Sequence, residues 1–445
     1  PFQDGVLLLN SAVQQNFVLA CGETVLKISK ILVANRSEIA IRVFRAANEL
    51  GIKTVAIWAE EDKLSLHRFK ADESYQVGRG PHLAKDMGPI ESYLSIEEVI
   101  RVAKLSGADA IHPGYGLLSE SPEFVEACNK AGITFIGPTA DTMRQLGNKV
   151  AARNLAISVG VPVVPATDPL PDDMAEVERM AEEIGYPVML KASWGGGGRG
   201  MRAIRKKEDL AREVTEAKRE AKAAFGKDEV YLEKLVERAR HVESQILGDT
   251  HGNVVHLFER DCSIQRRNQK VVERAPAPYL SEAQRQELAS YSLKIAGATN
   301  YIGAGTVEYL MDADTGKFYF IEVNPRIQVE HTVTEVVTGI DIVKAQIHIL
   351  EGAAIGTPES GVPRQEDIRL NGHALQCRIT TEDPEHNFIP DYGRITAYRS
   401  ASGFGIRLDG GTSYTGAVIT RYYDPLLVKV TAWAPRPDEA INRMD

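Results

Sequence analysis

The chain has 445 residues, 43% hydrophobic and 25% charged, with 52 Lys plus Arg against 61 Asp plus Glu and a net charge of −9. This is ordinary composition for a soluble chain with a large core. It gives nucleic-acid binding no support from bulk charge, and no apolar stretch reaches the ~18 residues a membrane-spanning helix needs. Cys21, Cys128, Cys262 and Cys377 are widely spaced with no CxxC pair, so free thiols in a reducing compartment are expected, not disulfides or zinc.

Residues 1–28 contain the apolar runs GVLLLN and FVLAC but no basic residue before Lys27. Neither a secretory signal nor a mitochondrial presequence is indicated. The segment reads as an appendage of unknown role on a cytoplasmic protein. Order begins at KISKILVANRSEIAIRVFRAANELGIKTVAIWAEED. A buried strand over Ile31–Ala34, an amphipathic helix over Glu38–Leu50 stopped by Gly51, and a strand over Lys53–Trp58 make a parallel α/β unit. Helices near Ser95–Leu105 and Glu123–Ala131 and strands in DAIHPG and ITFIG continue it, predicting a Rossmann-like domain over 29–140. The turn ANRSEI lacks the GxGxxG fingerprint, which argues against ordinary dinucleotide binding.

One helix is predicted from Asp141 to Val159, followed by a connector marked by Pro162, Pro165, Pro169 and Pro171. A helix over Met174–Ile184, strands over Tyr186–Lys191 and Met201–Ile204, a charged helix over Leu210–Ala224 and a strand in EVYLEKLV form a compact α+β unit able to move as a lid. Residues 141–238 are assigned to this linker helix and lid. Residues 239–368 read as a catalytic core, mostly β to Thr338 with one helix at Ser281–Ala298. Residues 369–445 read as a β-rich C-terminal domain.

Two features carry chemistry. GAGTVEYLMDADTGKFYFIEVNPR, from Gly303 to Arg326, alternates on both sides of a turn and predicts a β-hairpin. With the turn centred on Thr315, Val307 faces Val323, Tyr309 faces Ile321 and Met311 faces Tyr319. On the other face Glu308 opposes Glu322, and Thr306 opposes Asn324. Two carboxylates ~5 Å apart repel, and a divalent cation with a preference for hard oxygen ligands, such as Mg²⁺, removes that cost. A solvated strand face with two unrelated glutamates is the other reading. Beyond the hairpin Arg326, Gln328 and Glu330 alternate, a fork for a planar anion beside a possible general base; a plain polar loop is the alternative. The second feature is KASWGGGGRGMR. Lys191 ends a strand and precedes four glycines, whose bare N–H groups can cradle phosphate oxygens. Its strand-like flanks favour a hairpin flap over a flexible linker.

The blocks KILVANRSEIAIRVFRAANELGI, IHPGYGLLSE, KASWGGGGRGMR, YLEKLVERARHVESQ, ERDCSIQRRNQKVVERAPAP and FIEVNPRIQVEHTVTE, in this order, resemble biotin carboxylases. The resemblance spans about residues 29–445. It implies an ATP-grasp fold with a Rossmann-like N-terminal domain, a mobile glycine-flap lid and a C-terminal β-rich domain. VEHTVTE, with Thr332 where other biotin-dependent carboxylases tend to have proline, looks like the pyruvate carboxylase subgroup; an acyl-CoA carboxylase component, another ATP-grasp ligase or a nucleotide-binding module without turnover are the alternatives.

The resemblance implies carboxylation of biotin N1′ from ATP, bicarbonate and Mg²⁺ (or Mn²⁺) through carboxyphosphate. Lys149, Lys191, Gly197 and Gly198 would hold the ATP phosphates. Glu233, Lys234, Leu235 and Val236 would bind adenine with Leu310 packed on it, and His241 would touch the nucleotide. Glu308, Glu322 and Asn324 would bind metal. Arg326, Gln328 and Val329 would hold bicarbonate, Glu330 would deprotonate it, and Lys270 would stabilise the anions. Arg378 would stabilise the biotin enolate with Tyr115 beside the ureido ring. Implied partners are biotin-carrier and carboxyltransferase domains, a second copy of the domain, and an acetyl-CoA effector acting elsewhere. Ser37 and Asn268 depart from the family's glycine and histidine. The domain's closing segment would lie beyond Asp445.

Overall fold

A computed structural model describes residues 27–192, 201–225 and 228–445. The flap glycines Gly197 and Gly198 lie outside the described residues. Alternating apolar and amphipathic segments produce a five-stranded parallel sheet whose central strand, Lys30–Val33, pairs with Lys53–Trp58 on one side and Ala110–His112 on the other. Helix Ser37–Glu49 buries Ile39, Val43 and Phe44 against it. Helix Ile96–Ser106 is closed at both ends, by the Ser95 hydroxyl accepting from Glu98 N–H and by Gly107 at φ 68°, the left-handed conformation glycine adopts without cost. The core starts earlier than the sequence suggests. Ile28 is buried in it, and its N–H donates to Glu351 at 3.0 Å, so the last residue of the expected appendage belongs to the domain.

The helix expected over 141–159 is two helices, Ala140–Gly147 and Lys149–Ser158. Asn148 divides them: at ψ 113° its side chain accepts from the N–H groups of Val150 and Ala151, the N-cap role that competes with helix continuation. Lys149 therefore sits on a helix's first residue.

The lid strands pair as expected, Val188–Ala192 antiparallel to Arg202–Ile204 and to Val230–Lys234. This sheet and its two helices share a hydrophobic cluster of their own, including Val177, Leu190, Val214 and Leu232. A small body with its own core can move as a unit.

Most of the remaining strands form one eight-stranded antiparallel sheet, and four short strands between Glu382 and Ile419 pair in two separate two-stranded sheets. Strand His373–Thr380 pairs with Gln269–Ala275, so the strands of the β-rich C-terminal segment extend the catalytic-core sheet. A second helix, His331–Thr338, occupies a stretch read as β. The polar alternation of Arg326, Gln328 and Glu330 runs up to its first residue and hid the helical period. Both departures from the family pattern fit their turns. Arg267 and Asn268 have φ 52° and 63° between two antiparallel strands, the two-residue turn that favours asparagine. Ser37 has φ 58°, so the turn keeps a glycine-like backbone while carrying a side chain.

Candidate active site

The hairpin of strands Gly303–Asp312 and Phe318–Asn324 pairs Thr306 with Asn324, Val307 with Val323 and Glu308 with Glu322, as expected. Beyond Glu308 the register slips. Tyr309 faces Phe320 and Met311 faces Phe318, not Ile321 and Tyr319. A β-bulge leaves Ile321 without an opposing residue, and it turns the larger aromatic rings Phe318 and Phe320 into the core with Tyr309 and Met311.

Long-range pairing extends the acidic row. Strand Ala239–Gly248 lies beside the hairpin with Glu243 opposite Glu308, and strand Val254–Arg266 brings Arg260 opposite Glu243. Arg260, Glu243, Glu308 and Glu322 thus cross four adjacent strands in one row. Gln245, Thr306 and Asn324 form the next row on the same face. Arg260 is fully buried. It donates to Glu243 and Gln245 at 2.6 Å, Gln328 at 2.8 Å, Thr334 at 2.9 Å and Thr306 at 3.0 Å, using the guanidinium's whole donor fork.

Lys270 sits at the centre. Its ammonium donates to Glu243, and at 2.8 Å to both Glu308 and Glu330. Burial opposes its charge, but the three carboxylates overrule burial and hold its pKa well above the usual lysine value. Glu330 is the N-cap residue of helix His331–Thr338 yet makes no cap bond. Its carboxylate instead takes Lys270 on Oε1 and Arg378 Nη2 on Oε2, at 3.1 Å. Burial would raise its pKa, but Lys270, Arg378 and Arg260 hold it well below the usual carboxylate range. Glu308 is held low in the same way, burial being outweighed by Lys270 and His241; His241 Nε2 lies 2.7 Å from Glu308 Oε2. Asn324 and Gln328 donate to Glu308 Oε1 at 2.9 and 2.8 Å. Arg326 donates to Asn324 at 2.9 Å and to Glu120.

The other expected residues fall into three groups. Lys149 Nζ lies 3.5 Å from Glu322 Oε2, at the open end of the acidic row. Lys191 donates to Glu233 at 2.6 Å on the lid sheet. Lys234 donates to the Gly185 carbonyl at 2.7 Å, and Leu235 and Val236 follow it half-buried; Leu310 is half-buried opposite His241. Tyr115 donates to Glu38, whose other oxygen lies 3.0 Å from Lys429 Nζ; Lys429 also donates to the Val329 carbonyl at 3.0 Å. Residues the sequence reading missed are Glu243, Arg260, Glu273, Glu38 and Lys429. Cys262, expected as a free thiol, is buried, and burial raises its pKa well above the ordinary thiol value.

The donor set suits a hard divalent cation. Glu308 and Glu322 are directly opposed carboxylates, with Asn324 on the same face and Glu322 partly exposed. Among the described residues, ligand atoms of His241, Glu243 and Glu308 also lie within 4.8 Å of one another.

Three family models match: the biotin carboxylase N-terminal domain over 27–143, the carbamoyl-phosphate synthase L chain ATP-binding domain over 148–357, and the biotin carboxylase C-terminal domain over 376–445. The biotin carboxylase domain of Hydrogenobacter thermophilus 2-oxoglutarate carboxylase, solved as a dimer with MgADP, ADP and bicarbonate, is 47% identical. The match covers 94% of this chain and 89% of that one, with a TM-score of 0.85. The chain belongs to the biotin carboxylase family. Family membership makes it an ATP-dependent carboxylase of biotin, and its architecture is the ATP-grasp fold with a Rossmann-like N-terminal domain. A Rhizobium etli pyruvate carboxylase variant solved with the allosteric activator acetyl coenzyme-A is 92% identical over 94% of this chain, with a TM-score of 0.87. Pyruvate carboxylases of Bacillus subtilis (strain 168) and Homo sapiens are 52% and 53% identical over 417 residues. The chain spans 36% and 35% of their lengths. No described helix is long and apolar enough to cross a membrane.

Proposed function

We propose that this chain carries out the first half-reaction of a pyruvate carboxylase, with Glu330 deprotonating bicarbonate. What carries the reading is the shared cation. One ammonium, Lys270, contacts Glu243, Glu308 and Glu330, while Arg378 contacts the other oxygen of Glu330. A base held this far below its usual pKa is fully ionised at neutral pH but weak. An anion bound among Arg326, Gln328, the Val329 backbone and Lys270 competes for the same cations. Glu330 then loses part of its stabilisation, and its proton affinity rises when bicarbonate offers a proton.

Lys149 and Lys191, with the flap glycines, balance the phosphoryl charge, since such transfer depends on positioning and neutralisation more than on covalent help. Glu308, Glu322 and Asn324 would hold Mg²⁺ (or Mn²⁺), which neutralises charge on the phosphates when bound. Glu233 to Val236, Leu310 and His241 form the nucleotide's base side. The lid excludes water from an intermediate that hydrolyses readily. Arg378, with Tyr115, faces the biotin ring and stabilises negative charge on its oxygen.

The acceptor is biotin on a carrier domain of the parent chain, with a carboxyltransferase domain making oxaloacetate from pyruvate. The assembly pairs two copies of this domain, and acetyl-CoA acts outside it. We place the protein in the cytoplasm; the human relative is named as mitochondrial. Mg-ATP, bicarbonate and free biotin should give ADP release that requires bicarbonate and rises with biotin. ATP cleavage that ignores bicarbonate and responds to an amine would put the chain with other ATP-grasp ligases.

A further inference from the structure

Thr332 sits on helix His331–Thr338 with its hydroxyl against two strands of the sheet, and no step above uses it. It is fully buried, as are Gln376 and Glu273. The Thr332 hydroxyl donates to Gln376 Oε1 and meets the Thr431 hydroxyl at 2.9 Å. Gln376 Nε2 donates to Glu273 Oε2 at 2.8 Å, directly across the strand pair. Glu273 Oε1 accepts from Arg378 Nε at 2.6 Å, and Arg378 Nη2 reaches Glu330. The chain of bonds is continuous from the threonine to the catalytic carboxylate.

We propose that Thr332 is a positioning residue: its hydroxyl fixes the Gln376 amide, which holds Glu273 and so sets the orientation of Arg378 for biotin. This rests on the reading of Arg378 as the biotin-facing arginine. An amide has one acceptor end and one donor end. With Thr332 donating, Oε1 is claimed and Nε2 must point at Glu273. Flipped, the amide oxygen would face a buried carboxylate, a repulsive contact. Among the described residues Glu273 has a single cation partner, Arg378, and burial already pushes its proton affinity up. Loss of the amide donor leaves it weakly held. Arg378 is shared between Glu273 and Glu330, so a Glu273 that drifts or takes a proton frees the Nε side of the guanidinium from its set orientation while the Nη2 contact to Glu330 remains. Residues that orient a functional group from behind cost 10–100-fold when removed from comparable sites.

The test uses the full chain with Mg-ATP and bicarbonate, with and without free biotin. Thr332→Val is nearly isosteric and lacks the hydroxyl. Its biotin-stimulated ADP release should fall roughly tenfold, with KM for ATP and the biotin-independent rate within about twofold of wild type. Thr332→Ser should restore the stimulated rate. Gln376→Met, which cuts the link from its other end, should give the same split, whereas Thr431→Val, which spares the link, should leave both rates near wild type. The proposal is overturned by a Thr332→Val enzyme with an unchanged stimulated rate, by a Gln376→Met enzyme that loses both rates equally, or by Thr431→Val reproducing the loss. A wild-type chain with no response to biotin would instead remove the functional reading on which the pairing rests.

Discussion

Replacing Lys270 with glutamine tests the electrostatics of the site directly. The substitution keeps a hydrogen-bonding side chain and removes one charge from among three carboxylates. Ligand atoms of Glu243 and Glu330 lie within 4.8 Å of each other, as do those of Glu243 and Glu308. At an effective dielectric of about 20, two like charges at that separation repel by roughly 3.5 kcal/mol. That is enough to move a carboxyl's proton affinity by more than two pH units. Water entry and side-chain relaxation reduce the net cost, and an uncompensated buried charge typically costs about 3–5 kcal/mol. The sign with pH follows. In wild type Glu330 has a depressed pKa, so its contribution is complete above the unfolded carboxylate value of about 4.3 and is lost only in stronger acid. In Lys270→Gln a carboxylate pKa is raised above the unfolded value. That group stabilises the fold below the unfolded pKa and loses this contribution as pH rises through the raised one. The stability gap between wild type and variant should therefore be widest near pH 8 and narrow toward pH 5. Thermal unfolding across this range measures it. A gap that is independent of pH, or that widens in acid, refutes the three-carboxylate picture.

Glu330→Gln should keep its fold and lower bicarbonate-dependent ATP cleavage by roughly 10²–10⁴-fold, the usual contribution of a general base, as read by coupled ADP release. Ser37, at φ 58°, should tolerate glycine with a change of no more than about 1 kcal/mol, while Ser37→Val should cost about 1–3 kcal/mol; denaturant melts separate the two. His67 and His112 are pushed down to about 4 by burial. The unfolded chain takes up their protons between pH 6.5 and 4 and the folded chain does not, so stability falls with falling pH by about 1.4 kcal/mol per pH unit for each histidine. His67→Asn should flatten that slope, measured as Tm against pH.

How much of this site is readable without coordinates depends on how far apart the paired residues are in sequence. Glu308 and Glu322 share a hairpin whose short turn sets their register, so the opposed carboxylates follow from alternation alone. One residue past that pair the same reasoning fails, because no alternation marks the bulge that leaves Ile321 unopposed; burial of Phe318 and Phe320 decides it. Glu243 belongs to a strand contributed from 65 residues before Glu308 along the chain, and nothing local says which strand adjoins the hairpin. A signal did exist: HVESQILG places Glu243 and Gln245 on one face of a strand with Val242 and Ile246 on the other, a pattern that buries polar groups only where partners wait for them. Glu273 and Gln376 in their own strands carry the same mark. Lys270 illustrates the remaining limit. Alone it is one lysine in a basic run, and its importance comes from three carboxylates that two separate strands and a helix end bring to it. Residue types and spacing pointed to phosphate and metal chemistry. The balance of charge around Glu330 arises only where those strands are laid side by side.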